Sequence, residues 1–97
     1  MVAQRKLKRI KYSTEKNEVL KQTRGVGFED VLLCINNDRV MDVFPHPNQE
    51  KYQGQMIFIV DINGYICFVP FVETEEEIFL KTIIPSRKMN KKYKGVV

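Results

Sequence analysis

The sequence predicts an α+β fold in which two N-terminal helices pack on an antiparallel sheet and a short basic helix ends the chain. From Phe28 to Ile35, apolar residues recur at positions i, i+3, i+4 and i+7, the spacing of an amphipathic helix. Further along, Asn63-Gly64 separates two apolar runs, and this dipeptide is the strongest short-range signal for a β-hairpin. The length of 97 residues predicts one domain, residues 1–97.

The first half of the chain carries the helix signals. A short strand is expected at Leu7–Tyr12, and the following Ser13 is a suitable N-cap for a helix over Thr14–Thr23. Gly25 is a suitable residue to end that helix, since glycine adopts the left-handed conformation at little steric cost. The amphipathic stripe then predicts a second helix at residues 28–35.

The second half of the chain is expected to form strands at Val40–Phe44, Met56–Ile62, Tyr65–Val72 and Ile78–Ile84. The two-residue turn fixes the hairpin register as Ile62 with Tyr65, Val60 with Cys67, Phe58 with Val69 and Met56 with Phe71. Pro70 conflicts with a regular central strand and indicates a bulge or the end of pairing. After Pro85, residues Ser86–Tyr93 are expected to form the basic C-terminal helix.

Charge is distributed unevenly along the chain. Residues 1–24 hold eight basic and two acidic side chains, and residues 85–97 hold five basic side chains and no acid. The middle, residues 25–84, holds three basic and ten acidic side chains. If the fold brings both ends together, they make a positive patch suited to phosphates; the alternative is that both ends are solvated tails.

Several function classes are disfavoured by what the sequence lacks. It contains no Walker loop, no dinucleotide fingerprint, no H-E-x-x-H helix and no G-x-S-x-G elbow. With one histidine and two cysteines in apolar segments, we expect no metal and no cofactor, and we expect Cys34 and Cys67 to be buried, reduced thiols. No apolar run approaches the roughly 20 residues that cross a bilayer, so a cytoplasmic protein without membrane contact is expected.

Two candidate catalytic residues lie in the middle of the chain. His46, held between two prolines in a polar loop, is suited to proton transfer near neutral pH; the alternative is a surface histidine without a role. Lys81 is expected on an apolar strand face beside Phe79 and Ile83, where a cation is costly to bury. It either contacts a phosphate at a groove rim, or reaches solvent or a carboxylate.

The basic C-terminal segment supplies the remaining candidates. Arg87 is suited to bidentate contacts with phosphate, and Tyr93 to stacking on a base or relaying a proton. The candidate RNA-binding lysines, for which a solvated face is the alternative, are Lys51, Lys88, Lys91 and Lys92. Together these groups suit metal-independent RNA cleavage, in which the 2′-OH attacks the adjacent phosphate and fixed cations stabilise the developing charge.

Three segments in order resemble BrnT-type toxins of the RelE/ParE-like superfamily: Lys16-Asn17, residues 24–30 (RGVGFED), and residues 83–88 (IIPSRK) followed by Tyr93. The resemblance implies a RelE-like fold and an endoribonuclease toxin. It also implies a cognate antitoxin that binds DNA, of ribbon-helix-helix type, and a 2:2 heterotetramer with it. The alternatives are a non-catalytic module that binds RNA or the antitoxin, and an inhibitor of another protein such as a topoisomerase.

Overall fold

The fold is built on a six-stranded mixed sheet. The computed structural model describes residues 8–88 and 90, with the elements β1 (Arg9–Tyr12), α1 (Thr14–Arg24), α2 (Phe28–Asn36), β2 (Val40–Pro45), β3 (Gln55–Ile62), β4 (Tyr65–Glu73), β5 (Glu77–Leu80) and β6 (Ile84–Pro85). The strand order is β1-β5-β4-β3-β2, and β6 pairs with β4 beyond the end of β5. The β1–β5 pairing is parallel and the others are antiparallel.

The predicted fold class is wrong. The chain forms a strand-rich mixed α/β domain, 40% strand against 28% helix, rather than two helices on an antiparallel sheet with a C-terminal helix. The parallel β1–β5 pairing aligns Ile10 with Ile78 and Tyr12 with Leu80, so that both strands direct apolar side chains toward the helices. A four-residue strand shows the same alternation in either direction, so its pattern does not reveal which way it pairs.

A short strand, β6, precedes the segment of the predicted C-terminal helix. Ile84 pairs with Phe68 in β6, and the Ser86 N–H extends this pairing by donating to the Ile66 carbonyl at 3.1 Å. Ser86 thus extends the ladder through its N–H, while its carbonyl accepts the Asn90 N–H at 3.1 Å, and Arg87, Lys88 and Asn90 are helical. Of the predicted helix, the structure describes only Ser86–Lys88 and Asn90, and the rest lies outside the described residues.

Pro70 explains why the last predicted strand is split in two. Leu80 pairs with Phe71, and the next N–H, that of Lys81, donates to the Pro70 carbonyl at 2.8 Å. Regular antiparallel pairing would require Pro70 to donate an N–H back to the Lys81 carbonyl, and proline has none. Strand β5 therefore ends at Leu80, and pairing with β4 resumes only at Ile84, as β6.

The central hairpin is confirmed as the sequence predicted it. Asn63 and Gly64 have φ angles of 52° and 87°, the two positive values that a type I′ turn requires. The four predicted residue pairs are all present in the β3–β4 ladder. Because side chains alternate between the two faces along a strand, every second residue of β3 and β4 lies on the helix side of the sheet.

The hydrophobic core lies between this side of the sheet and the two helices. Helix α1 contributes Leu20, and the sheet contributes residues from β3, β4 and β5 and from the segment after β5. The residues from α2 are Phe28, Val31, Cys34 and Ile35. Both cysteines are free and buried, as predicted, and burial raises the pKa of the Cys67 thiol to about 11. Thiols of this kind are inert at neutral pH.

Both predicted ends of α1 are confirmed. Ser13 Oγ accepts the Lys16 N–H at 3.1 Å, which satisfies one of the free donors of the first turn. At the other end, Gly25 has a φ of 71°, and its N–H donates to the Lys21 carbonyl at 3.2 Å. Arg24 then ties this end of the helix to the segment after β5, because its Nη1 donates to the Ile83 carbonyl at 2.6 Å.

A buried amide joins the two helices. Asn17 is 4% exposed, its Oδ1 accepts the buried Phe28 N–H at 2.7 Å, and its Nδ2 donates to Glu29 at 3.0 Å. Lys21 Nζ lies 3.1 Å from the same Glu29 carboxylate. A Cβ on Gly27 would lie 2.9 Å from Asn17 Oδ1 and 2.6 Å from Glu29 Oε1, so this position has no room for a side chain. This contact fixes the approach of α2 to α1.

The outer edge of β2 is closed to further strands. The His46 N–H donates to Gln55 on β3, so by alternation the backbone groups of Val43 and Pro45 point away from the sheet. Asp42 Oδ1 accepts the Val43 N–H at 2.8 Å, and Pro45 has no N–H. Neither position offers a free donor to an added strand.

No helix within the described part of the chain is long and apolar enough to span a bilayer.

Candidate nucleic-acid interface

The loop between β2 and β3 is held in shape by its own side chains. Gln49 Nε2 donates to the carbonyls of His46 and Gln55 at 2.8 and 3.1 Å, and its Oε1 accepts the Gly54 N–H at 3.0 Å. Asn48 accepts the Lys51 N–H at its Oδ1, at 3.1 Å. These bonds close a polar, exposed segment into a defined conformation, which reduces the entropy that a ligand must remove on binding.

This loop brings two predicted site residues together around a third. The His46 and Tyr52 rings lie with centroids 4.3 Å apart at an interplanar angle of 32°. Lys51 Nζ lies 5.3 Å from the centroid of the Tyr52 ring, within cation–π range. We call His46, Lys51 and Tyr52 the loop cluster. Sequence reasoning missed Tyr52, although an aromatic residue next to a lysine in a polar loop is a signal for base stacking.

Backbone geometry defines the tautomer of His46. The Asn48 N–H donates to His46 Nδ1 at 3.0 Å, and a backbone N–H can only donate. Nδ1 must therefore be unprotonated, so the neutral imidazole carries its proton on Nε2. In this state the ring offers Nε2–H as a hydrogen-bond donor, and neither ring nitrogen is free to act as a base.

The face of the sheet opposite the helices, which we call the second face, is apolar and aromatic. Its side chains include Phe44, Ile57, Ile59, Phe68, Phe79 and Lys81. The rings of Phe44 and Phe68 meet edge to face at 6.4 Å. Lys81 is exposed, with its Nζ 5.4 Å from the centroid of the Phe79 ring. The expected neighbour Ile83 instead lies fully buried in the core, because the break after β5 changes the alternation.

The described catalytic candidates, His46, Lys81 and Arg87, lie at separate places on the sheet. The Lys81 backbone bonds to Pro70 of β4, and the Ser86 backbone bonds to Ile66, four residues away along the same strand. At ~3.3 Å per residue, the backbones of Lys81 and of Arg87, which follows Ser86, are therefore about 13 Å apart. His46 and Lys81 lie three strand spacings apart across the sheet, about 14 Å.

Arg87 and Lys88 are both exposed, and they lie close to Asn90, whose side chain bonds to β4. Asn90 Oδ1 accepts the Ile66 N–H at 3.0 Å, and Asn90 Nδ2 donates to the carbonyls of Ile66 and Ser86 at 3.1 and 2.6 Å. This amide therefore docks the segment onto β4, a role that sequence reasoning did not assign. The other predicted residues of this segment, Lys91, Lys92 and Tyr93, lie outside the described residues.

Residues 8–88 and 90 contain no group of three or more His, Cys, Asp or Glu side chains arranged to hold a metal ion. Comparisons with protein-family models, curated proteins and solved structures give no match to this chain. The resemblance to BrnT-type toxins therefore stays a prediction, and the function has to be argued from the site.

Proposed function

We propose that this protein binds single-stranded RNA through the loop cluster. The observation that supports this is the contact of Tyr52 with both His46 and Lys51 on a loop fixed by hydrogen bonds. Two aromatic rings in contact, tilted by 32° to each other, beside an ammonium group offer a ring face for a base and a cation for its phosphate. A loop that already has its binding conformation loses less entropy when the ligand binds. The hydrogen bonds of Gln49 hold this loop in one conformation.

Single strands fit the site better than duplexes. Bases of a duplex are stacked on each other and present only their edges, whereas the bases of a single strand can stack on protein rings. The chain has a formal net charge of +4, so long-range electrostatic attraction favours its association with a polyanion such as RNA.

Fluorescence anisotropy with a labelled six-nucleotide RNA tests this proposal. We expect Tyr52→Ala to lower affinity by about 5- to 150-fold, because stacking is worth about 1–3 kcal/mol per base. Lys51→Ala should reduce the slope of log affinity against log salt by about 0.7, the value for one phosphate contact on a single strand. Lys16→Ala, an exposed lysine of α1, removes the same charge and is the matched control. Equal effects of both lysine variants on the slope would contradict the assignment.

A second candidate function is the metal-independent endoribonuclease toxin. The observation that favours it is the tautomer of His46, whose Nε2–H can donate a hydrogen bond to the phosphate oxygens on which charge develops. In this reaction the 2′-oxygen forms a bond to phosphorus and the bond from phosphorus to the 5′-oxygen breaks. The 2′-hydroxyl proton passes through solvent water to the departing 5′-oxygen, while His46 keeps its Nε2 proton and donates a hydrogen bond to a non-bridging phosphate oxygen. The products are a 2′,3′-cyclic phosphate and a free 5′-hydroxyl.

Incubation of RNA with the protein in a chelator tests this candidate. His46→Asn is the informative variant, because its amide oxygen can still accept the Asn48 N–H but the shorter side chain places no donor at the position of Nε2. We expect wild-type protein to give cyclic phosphate ends and His46→Asn to bind RNA without cutting it. Intact RNA in every reaction, with binding retained, would leave the non-catalytic RNA-binding module as the function.

The proposed partner is the antitoxin that the resemblance implies, in a 2:2 assembly in the cytoplasm. A toxin must be silenced until needed, and a DNA-binding antitoxin covering the loop cluster would do this by blocking RNA. Co-expression with the product of a short adjacent reading frame, followed by mass measurement of the complex, tests the partner and the stoichiometry. We expect the complex to bind RNA less well than the free chain.

A further inference from the structure

The second face carries an exposed aromatic ring that the loop cluster does not use. Phe79 alternates with Ile78 and Leu80, which are buried in the core, so its own side chain lies on the second face and is 38% exposed. Exposing part of a large apolar ring to water is unfavourable, and single exposed rings on a sheet are a common platform for bases. Lys81 Nζ lies 5.4 Å from its centroid.

Lys81 is available for a ligand because of the break in the sheet. Pro70 ends strand β5 one residue before Lys81, which leaves this residue exposed beyond the strand end. Glu77, on the same face of β5, lies 3.0 Å from Lys11 Nζ and 3.8 Å from Arg9 Nη1. Among the described residues, no carboxylate lies within ion-pair distance of Lys81. Its charge is therefore available to a phosphate.

Phe79 lies in the same row of the sheet as His46. The His46 N–H donates to Gln55, Gln55 pairs with Val72, and Val72 pairs with Phe79. The row crosses four strands and therefore three inter-strand spacings of ~4.8 Å, so its two ends are about 14 Å apart. Gln55 and Val72 between them are half-buried, and no charged side chain of the row interrupts the path.

We infer that Phe79 and Lys81 form a second subsite for the same RNA strand, with a base on the ring and a phosphate on the ammonium group. The inference rests on the proposed function, since the strand would run from the loop cluster across the row to β5. At about 3.4 Å per nucleotide of stacked strand, 14 Å corresponds to about four steps. Five or six nucleotides therefore span both subsites, and two nucleotides occupy one.

The test compares two- and six-nucleotide oligouridylates by fluorescence anisotropy at fixed salt. Phe79→Leu keeps an apolar side chain in the strand but removes the stacking face. We expect it to weaken binding of the six-nucleotide RNA about tenfold. Binding of the two-nucleotide RNA, which occupies the loop cluster, should change less than twofold. Lys81→Ala should lower the salt slope for the longer RNA by about 0.7. Met41→Leu, at an exposed apolar position on β2, is the control.

The outcomes separate this inference from the proposed function. If Tyr52→Ala weakens binding of both RNAs while Phe79→Leu and Lys81→Ala act like the control, RNA binding stands and the second subsite is refuted. If the wild-type protein binds neither RNA, both are refuted. If a stable RNA hairpin duplex binds as well as the six-nucleotide single strand, stacking on Phe79 is refuted.

Discussion

Removal of the buried amide at Asn17 should destabilise the fold strongly. Truncation in Asn17→Ala leaves the Phe28 N–H without an acceptor in a site closed to water, since Asn17 is 4% exposed and Phe28 is fully buried. An unsatisfied buried donor costs about 1–3 kcal/mol. The lost bond to Glu29 adds little, because that side chain is 51% exposed and water replaces the donor. We expect a total loss of about 2–3 kcal/mol in the free energy of unfolding.

Urea unfolding followed by circular dichroism measures this loss. At about 4–8 °C per kcal/mol for a domain of this size, the midpoint of thermal unfolding should fall by about 8–24 °C. Asn36→Ala, an exposed asparagine at the end of α2, is the matched control and should change stability by less than about 0.5 kcal/mol. Asn17→Leu fills the space without accepting a hydrogen bond and should lose nearly as much as Asn17→Ala. Wild-type stability in Asn17→Leu would refute the hydrogen-bond explanation.

Three further predictions concern the same fold. Gly27→Ala should lower the free energy of unfolding by about 1–3 kcal/mol, measured in urea, because its Cβ would overlap Asn17 and Glu29. The pKa of Glu29 is lowered by its own backbone N–H and by Lys21, so its contribution is present above its unfolded pKa of about 4.3 and is lost as pH falls through the folded value. The stability difference between wild type and Glu29→Gln should therefore shrink between pH 6 and pH 3; a constant difference would contradict this. The double variant Asp42→Ala/Pro45→Val should open the β2 edge and cause self-association in light scattering, whereas the wild type should not associate.

Local signals in the sequence were sufficient where a few neighbouring residues decide the structure. Asn63-Gly64 determines both the turn and the register of the hairpin, because only residues that tolerate positive φ can form it. Ser13 and Gly25 mark the ends of α1 for similarly local reasons. The split of the last strand could not be located in this way. It depends on Pro70, which lies on the neighbouring strand and fails to donate a bond there.

The same distinction applies to the candidate site. His46 and Lys51 were identified from their residue types, but their contact through Tyr52 depends on Gln49 closing the loop by three hydrogen bonds. No spacing rule in the sequence predicts such a closure. The separation of the Lys81 and Arg87 backbones likewise follows from pairing across β4, a non-local contact.

Chemical-shift mapping of an RNA titration tests the central claim most directly. The claim predicts that ring and amide signals of His46, Tyr52 and Phe79 shift together as single-stranded RNA is added, and saturate at the same concentration. Signals of Val19 and Leu33, exposed by 51% and 60% on the helices, should stay in place. Shifts confined to the helix residues, with the loop cluster and Phe79 unchanged, would contradict the account.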